Sequence, residues 1–243
     1  AFIDADCAAP PGWLSLLAGH FAAAKEDEKS LAGVGGRNIA PPGASPFVRA
    51  VEIALDAYPG SFNSVQGRQR RRRAYVPSLS LANAFYEKER LLAVGGFDES
   101  LRSEAEDADL NFRLTEAGGR LLYLPDSFVW HNLRASPKSW LRNMFRYGKG
   151  RARLLKRHRA MRHPSFLLPP AFLAAMLTVP LAPLSPVFLL PLLYFPLLAG
   201  LALRQAVAHR ATRLWPLVVL VYGLQHFGYA SGEVYGLCHP RVA

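Results

Sequence analysis

The feature that most constrains this chain is a run of about 39 residues without a charge, residues 165–203. Seven prolines within it argue against one regular soluble helix, because each proline removes a backbone hydrogen-bond donor. The run is long enough to cross a bilayer twice, since one crossing needs roughly 20 apolar residues. We therefore expect membrane helices over residues 165–183 and 186–203. A weaker third span is predicted over residues 214–237, which contain the polar side chains Gln225, His226 and Glu233.

A strongly basic segment precedes the uncharged run. Residues 134–163 contain eleven Lys or Arg and no acid, in a chain whose net charge is +11. Apolar and basic side chains alternate there, which is typical of an amphipathic helix on an anionic membrane surface, and a solvated basic face is the alternative. Because the excess charge is local, the pattern argues against a nucleic-acid-binding domain and for membrane lipids as partners. The apolar members are Trp140, Leu141, Met144, Phe145 and Leu155.

The basic residues also predict the orientation in the membrane. Cytoplasmic segments carry an excess of Lys and Arg, so the basic segment and the link at residues 204–213 are expected on the cytoplasmic side. Three spans would then leave residues 1–133 in the cytoplasm and the last residues across the membrane. The sequence thus predicts a multi-pass protein of the cytoplasmic (inner) membrane.

Residues 1–133 show the mixed pattern of an α/β domain. Apolar periodicity predicts helices over residues 12–24 and 48–57, and a glycine-rich strand over residues 31–37. A strand at residues 121–124 is expected to end before Pro125. The polar, basic stretch at residues 65–75 has no apolar period and is predicted to be a loop.

The two ends of the chain predict less. Residue Ala1 already belongs to what reads as the end of a core strand, so we expect the chain to be a fragment with an upstream part removed. Two cysteines, Cys7 and Cys238, lie near opposite ends and predict no disulfide framework. Each is expected to be a small buried apolar residue.

The first seven residues, AFIDADC, place Asp4 and Asp6 one residue apart. In an extended strand both side chains would point to the same side, where two carboxylates repel each other. Two interpretations stay open from these residues alone. One is a polar strand end entering the turn at residues 8–12, and the other is a divalent cation held between the carboxylates.

A second group of acids lies at residues 103–110, where apolar spacing predicts a helix over residues 104–117. The S-x-x-E pattern at its start matches a capping box, which accounts for one or two of the four carboxylates. Asp107 and Asp109 are then left over. A carboxylate at a helix start in a cleft is well placed to accept a proton from a hydroxyl group.

Three motifs follow one another along the chain: FIDADC at residues 2–7, GGFDES at residues 95–100 and AEDADLNFRL at residues 105–114. In this order and spacing they resemble the family 2 glycosyltransferases of GT-A fold, over residues 1 to about 150. The stretch WHNLRASPKSWLRNMFRYGKGR is similar to exopolysaccharide transferases of the succinoglycan type. The apolar tail resembles family members that act on lipid-linked acceptors.

The resemblance implies roles for individual residues. Asp4 and Asp6 match the D-x-D pair that binds a divalent metal, Mg²⁺ or Mn²⁺, and through it the diphosphate of a nucleotide-sugar donor such as a UDP-sugar. Asp107 matches the base that deprotonates the acceptor hydroxyl, and Glu106 precedes it to cap the helix or place the acceptor. His131 is implied as a further metal ligand. Donor contacts are implied for Asn83, Gly95 and Gly96.

The resemblance also implies limits. The family's N-terminal half, which holds the nucleotide base, is not among these residues, so we expect the isolated chain to be inactive and the activity to belong to a longer protein. The Q-x-x-R-W signature of processive members is missing, which favours transfer of a single sugar. The resemblance separately implies that the transfer proceeds with inversion. Two other interpretations stay open: a metal-dependent lipid phosphotransferase or phosphatase, and a non-catalytic membrane-anchored scaffold whose acids are only caps and turns.

Overall fold

The computed structural model describes residues 1–61, 70–101, 104–131 and 135–239. The chain divides into two compact units, residues 1–133 and 134–243. Residues 65–69 of the predicted basic loop lie outside the described residues, and so does Ser103 of the predicted capping box.

The first unit is a mixed α/β sheet. Strands β1 (Cys7–Ala8), β5 (Arg120–His131), β2 (Leu31–Ile39) and β4 (Ala84–Tyr86) lie side by side in that order, and β3 (Ala74–Val76) also pairs with β5. The β2–β5 pair is parallel, and the other pairs are antiparallel. The α/β fold class predicted for this part of the chain is therefore confirmed.

Helices cover both faces of this sheet. Alternate residues of β5 point to opposite faces, so Leu122 and Leu124 pack with Leu17 on one side, while Leu121 and Tyr123 pack with the helix that carries Leu110 and Leu114 on the other. The described helices are α1 (Trp13–Asp27), α2 (Pro46–Leu55), α3 (Tyr58–Ser61), α4 (Lys88–Ala93) and α5 (Glu106–Glu116).

Strand β5 continues through Pro125, and the prediction that it ends there was wrong. Tyr123 lies opposite Gly35 and Phe128 lies opposite Arg37, so four residues of β5 bulge out across from a single residue of β2. Proline is tolerated at a bulge because its missing N–H is not needed for the ladder there. The bulge lets the strand run on to His131.

Gly36 is the β2 residue that faces this bulge, and Gly36→Ala is expected to destabilise the first unit by about 3 kcal/mol. A Cβ atom at this position would lie 2.0 Å from the carbonyl oxygen of Ser127, which is backbone and cannot turn aside. Denaturant unfolding of the purified protein measures the loss. Gly19→Ala is the matched control, since nothing lies within 4 Å of its Cβ and an exposed helical alanine should stabilise slightly. Equal stabilities for the two variants would contradict the bulge geometry.

A small ion-pair group ties α1 to the sheet. Lys25 Nζ donates to the carboxylate of Glu87 at 2.7 Å and to the carbonyl of Leu31 at 2.8 Å. Arg90 Nε donates to the same carboxylate oxygen at 2.7 Å. Partial burial alone would raise the pKa of Glu87, but the hydrogen bonds and charges of Lys25 and Arg90 outweigh it and hold that pKa below its ordinary value.

The lowered pKa of Glu87 makes stability depend on acid pH. The carboxylate binds a proton less readily folded than unfolded, so its contribution is present above the ordinary pKa of 4.5 and is lost as pH falls through the lower folded pKa. Thermal unfolding from neutral to acid pH should therefore show a smaller loss of Tm in Glu87→Gln than in the unchanged protein. Identical pH profiles would show that the ion-pair group does not contribute.

The second unit is all-helical. Its helices are α6 (Pro137–Arg157), α7 (Leu168–Leu177), α8 (Tyr194–Ala208) and α9 (Trp215–Cys238). Together with the short 3₁₀ turns beside α7 and α8, two segments are long and apolar enough to cross a membrane, Pro164–Leu181 and Pro186–Ala208. They coincide with the first two predicted spans. Helix α9 does not meet this test of length and apolar composition, so the third membrane span stays a prediction.

Part of the apolar side of α6 packs against α9, and the position of the basic segment on a membrane surface stays a prediction. Trp140, Met144 and Leu155 are buried, and glycines of α9 lie directly against this side of the helix. The sequence could not distinguish a lipid from a helical partner, because both present an apolar surface. The cysteines differ from expectation: Cys7 is half-buried and Cys238 is exposed.

Candidate functional site

The opening acidic pair sits in a turn, and the prediction of an extended strand through it was wrong. The backbone N–H of Cys7 donates to the carbonyl of Asp4 at 3.0 Å, so residues 4–7 fold back on themselves. Strand pairing resumes at Cys7, which lies opposite His131 at the end of β5. The turn brings the two carboxylates to the same edge of the sheet as the histidine.

Four side chains converge at this edge. Asp4, Asp6, Cys7 and His131 each offer one possible ligand atom, and these atoms all lie within 4.8 Å of one another. His131 Nε2 is 3.3 Å from Asp6 Oδ1, and the histidine is buried while the Asp6 side chain is 36% exposed. Carboxylate, imidazole and thiol groups within such a radius can share one divalent cation. The set, which is called the acidic-edge cluster below, unites Asp4, Asp6 and His131 as the sequence predicted.

Asn38 on β2 supports His131 from behind. Its Nδ2 lies 3.5 Å from His131 Nδ1, while its buried Oδ1 has no hydrogen-bond partner among the described residues. If the amide is turned over, Oδ1 accepts from Nδ1–H and the lone pair of Nε2 faces the carboxylates. This orientation would give the buried amide oxygen a hydrogen-bond donor, so the residues present fit a bound cation. Sequence reasoning missed Asn38, which has no motif around it.

Cys7 belongs to the acidic-edge cluster, although the sequence predicted only a small buried apolar residue at this position. Burial, followed by the negative charges of Asp4 and Asp6, raises the pKa of the Cys7 thiol to about 12. The thiol is thus protonated at neutral pH when only protein surrounds it. The signal in the sequence was its place directly after the D-x-D pair.

The second acidic motif forms the start of α5. Ala105 precedes the helix with a positive φ of 71°, and Asp107 Oδ1 accepts from the N–H of Ala108 at 2.7 Å. Near it, the Tyr86 hydroxyl donates to Asn111 Oδ1 at 2.7 Å. Burial, followed by the charge of Asp107, raises the pKa of Tyr86, so the phenol stays protonated. Asp107 is half-buried in the first turn of the helix and next to Glu106, as predicted.

Tyr86 connects the two acidic motifs. The ring of Phe2 packs edge-on against it, with ring centroids 5.9 Å apart. Phe2 also pairs with Ala84 on β4, which fixes the first residues of the chain beside this strand. Asp4 follows two residues after Phe2, and Asp107 acts electrostatically on Tyr86. Strand β4 therefore contacts the residues that lead into the Asp4–Asp6 pair and also interacts with Asp107 at the start of α5.

Arg113 ties the GGFDES turn to α5. Its guanidinium donates to Asp109 Oδ2 at 2.8 Å and to the carbonyl of Gly96 at 2.7 Å, and a further N–H donates to the carbonyl of Val94. Gly95 and Gly96 have φ values of 83° and 65°, which favour glycine. Asp109, one of the two leftover acids, is therefore a buried structural partner.

Asn83 is fully buried and joins three segments. Its Oδ1 accepts from Trp13 Nε1 at 2.8 Å and from Ser127 Oγ at 2.9 Å, and its Nδ2 donates to the carbonyl of Arg37 at 3.1 Å. These bonds give it a structural role. A direct contact with a donor stays a prediction, and it would require some of these bonds to break.

Comparison with known proteins gives a consistent result. The family described as Glycosyl transferase family group 2 matches residues 1–207. A protein of Mycobacterium tuberculosis (strain CDC 1551 / Oshkosh) named pre-mycofactocin glycosyltransferase is 34% identical over 168 residues, which is 65% of this chain and 32% of that protein. The succinoglycan biosynthesis protein ExoA of Rhizobium meliloti (strain 1021) is 41% identical over 81 residues, 32% of this chain and 24% of that protein. The chain thus spans a third or less of the length of these relatives.

Proposed function

Since the chain belongs to the glycosyl transferase family group 2, we propose that it forms part of a GT-A enzyme that transfers one sugar, with inversion, from a nucleotide-diphosphate sugar to a membrane-associated acceptor. The family makes it a transferase, as predicted, and argues against a purely structural scaffold. The donor, the acceptor and the inverting mechanism are proposals for the longer protein. A lipid-linked saccharide in polysaccharide biosynthesis is the proposed acceptor, because ExoA is named for such a process.

The observation that carries the proposal is the acidic-edge cluster. Residues that are more than a hundred positions apart converge within 4.8 Å, in a combination that suits a divalent cation. Asp4, Asp6 and His131 would hold it, with Cys7 as a fourth donor. Because imidazole and thiol are softer ligands than carboxylate, the set suits Mn²⁺ better than Mg²⁺. When bound, the cation supplies positive charge that offsets the diphosphate of the donor.

The remaining chemistry belongs to the chain's own residues. The acceptor hydroxyl attacks the anomeric carbon, the new carbon–oxygen bond forms as the bond to the diphosphate breaks, and the electron pair leaves with the nucleoside diphosphate. Asp107 takes the hydroxyl proton as general base, which makes the oxygen more nucleophilic as it attacks. A single displacement inverts the anomeric centre. The Gly95–Gly96 turn, held to α5 by Arg113, offers backbone close to the sugar.

Attachment to the inner membrane is proposed from the two apolar segments. Pro164–Leu181 and Pro186–Ala208 have mean hydropathy of 1.6 and 2.1 over their most apolar windows, and at most a ninth of either window is buried. Such exposure of apolar side chains is costly in water and favourable in lipid. The arrangement would keep a lipid-linked acceptor and the catalytic unit at one membrane surface.

Calorimetric titration of the purified full-length protein with Mn²⁺ and UDP tests the proposal. Mn²⁺ is expected to bind, and UDP is expected to bind only when Mn²⁺ is present, because the cation offsets the charge between the diphosphate and the carboxylates. A panel of nucleotide-sugars with a membrane lipid extract should then give a glycosylated lipid. Equal UDP binding in the presence of a chelator would contradict the metal-dependent site, and release of inorganic phosphate would favour a phosphatase.

A further inference from the structure

Helices α6 and α9 run side by side in the same direction. Gly228 of α9 lies against Leu141 of α6, and one turn further on Gly232 lies against Phe145. A Cβ atom at Gly232 would be 2.0 Å from the carbonyl oxygen of Phe145, so the two backbones touch. Gly236 continues the series against α6. The contact therefore extends along the whole second half of α9.

Two further contacts fix this register. A Cβ atom at Gly148 of α6 would lie 2.0 Å from the carbonyl oxygen of Tyr229. Near the end of both helices, Lys156 Nζ donates to the carbonyls of Gly236 and His239, each at 2.8 Å. Small residues at such a seam allow close packing, and any larger side chain would push the helices apart. Wherever the second half of α9 lies, α6 lies beside it.

Helix α6 cannot enter the hydrocarbon core. Basic side chains recur along it every three or four residues with no acid in the helix, and each charged side chain placed at the bilayer centre costs free energy. The second half of α9 is itself polar where it meets α6. Glu233 is fully buried there, its carboxylate has no hydrogen-bond partner among the described residues, and it interacts electrostatically with Arg151. The basic row consists of Lys138, Arg142, Arg146, Lys149, Arg153 and Arg157.

The rest of α9 is too short to cross the membrane alone. If residues 228–238 stay outside the hydrocarbon with α6, about 13 residues remain, residues 215–227, and they extend only about 20 Å as a helix. The hydrocarbon core is about 30 Å thick. The link before α9 contains Arg210 and Arg213, so the helix also begins at a basic, cytoplasmic-type segment. Both of its ends then belong to the same membrane surface.

We infer that α9 does not cross the bilayer and instead forms, together with α6, a helix pair on the membrane surface. The basic row of α6 then lies against the phosphates of anionic lipids. Cys238 lies on the same side of the membrane as the link before α9. The inference rests on the membrane attachment proposed above. The chain then has two membrane spans in place of the three that the sequence predicts. Its last described residues lie on the same side of the membrane as the two basic segments. Charge complementarity selects the partner, because a row of like charges gains most beside an anionic lipid surface.

Single cysteines in the full-length protein test the topology. With all other cysteines replaced by alanine, Cys238, Thr212→Cys in the link and Ser185→Cys between the two apolar segments are each exposed to a membrane-impermeant maleimide. The labelling is done in sealed right-side-out and inside-out membrane vesicles. We expect Cys238 and Thr212→Cys to react in the same vesicle type, with loss of labelling in the other, and Ser185→Cys to show the reverse.

The possible outcomes separate this inference from the proposal beneath it. Labelling of Cys238 and Thr212→Cys in opposite vesicle types would show that α9 crosses the membrane and would overturn the inference, with the membrane attachment intact. Labelling of all three positions in one vesicle type would remove the two spans and overturn both. Neither result bears on the sugar chemistry.

The lipid partner is tested by replacing the three fully exposed members of the row in Lys138→Gln/Arg142→Gln/Arg157→Gln. In nanodiscs, adding phosphatidylglycerol to phosphatidylcholine should raise the Tm of the unchanged protein, and the triple variant should lose that shift. The matched control, Lys29→Gln/Arg49→Gln/Lys88→Gln, removes the same charge from exposed positions of the first unit and should keep it. An equal shift in all three proteins would overturn the lipid contact.

Discussion

Asp107→Asn in the full-length protein is expected to lower kcat for sugar transfer by about 10²- to 10⁴-fold, the range that a general base contributes. Asparagine has nearly the same shape and can still accept from the N–H of Ala108, but it cannot take the proton of the acceptor hydroxyl. Binding of Mn²⁺ and UDP should stay unchanged, because the acidic-edge cluster is intact. Steady-state transfer assays and calorimetry of the same preparation measure the two effects.

Asp109→Asn is the matched control on the same helix. Asp109 is fully buried and pairs with Arg113 at 2.8 Å, so its loss should lower the free energy of unfolding and loosen the Gly95–Gly96 turn. The rate of residual transfer should still depend on the ionisation of the base when it is measured against pH in Asp109→Asn. In Asp107→Asn that pH dependence should be absent. Turnover that is retained in Asp107→Asn would remove this residue from the role of base.

Asp6→Ala is expected to weaken Mn²⁺ affinity by about 10²-fold or more, since loss of even a supporting residue around a metal site costs 10- to 100-fold. UDP affinity should fall with it, because the diphosphate is bound through the cation. Asp6 is the carboxylate that lies 3.3 Å from His131 Nε2, so its removal takes away one side of the cluster. Calorimetry with each ligand, alone and together, measures both losses.

Asp126→Ala provides the comparison for that experiment. It removes an equally acidic side chain from β5, outside the acidic-edge cluster, where Asp126 pairs with His20 at 2.8 Å. Mn²⁺ affinity should stay at the level of the unchanged protein. If Asp6→Ala and Asp126→Ala bind Mn²⁺ equally well, the metal site is elsewhere.

Local patterns predicted most of the first unit, and the exceptions have physical causes. The helices α1, α2 and α5 and the strand β2 follow from apolar spacing, which depends on residues close together in sequence. The continuation of β5 through Pro125 depends on a bulge opposite Gly36, and thus on a partner strand about 90 residues away in sequence. The turn at Asp4 depends likewise on the pairing of Cys7 with His131. Such long-range pairings leave no local signal.

The candidate site divides in the same way. The acids and His131 stood out because charged and imidazole groups in motifs point to chemistry from sequence alone. Asn38 and Cys7 did not, since a single amide or thiol has many ordinary uses, and only the fold brings Asn38 beside His131. Conversely, the resemblance implies a donor contact for Asn83, and Asp109 lies in the motif at residues 105–114, but both side chains make internal bonds.

The guanidinium of Arg113 contacts two carbonyls of the glycine turn and a carboxylate of α5 at once. A helix held in this way cannot shift along its axis without moving the turn with it, so Asp107, the proposed base, and the Gly95–Gly96 backbone are expected to move together. Lysine, with a single point charge, cannot make this planar fork. Under the proposed function, we therefore expect an acceptor of a different size to displace the start of α5 and the glycine turn as one unit.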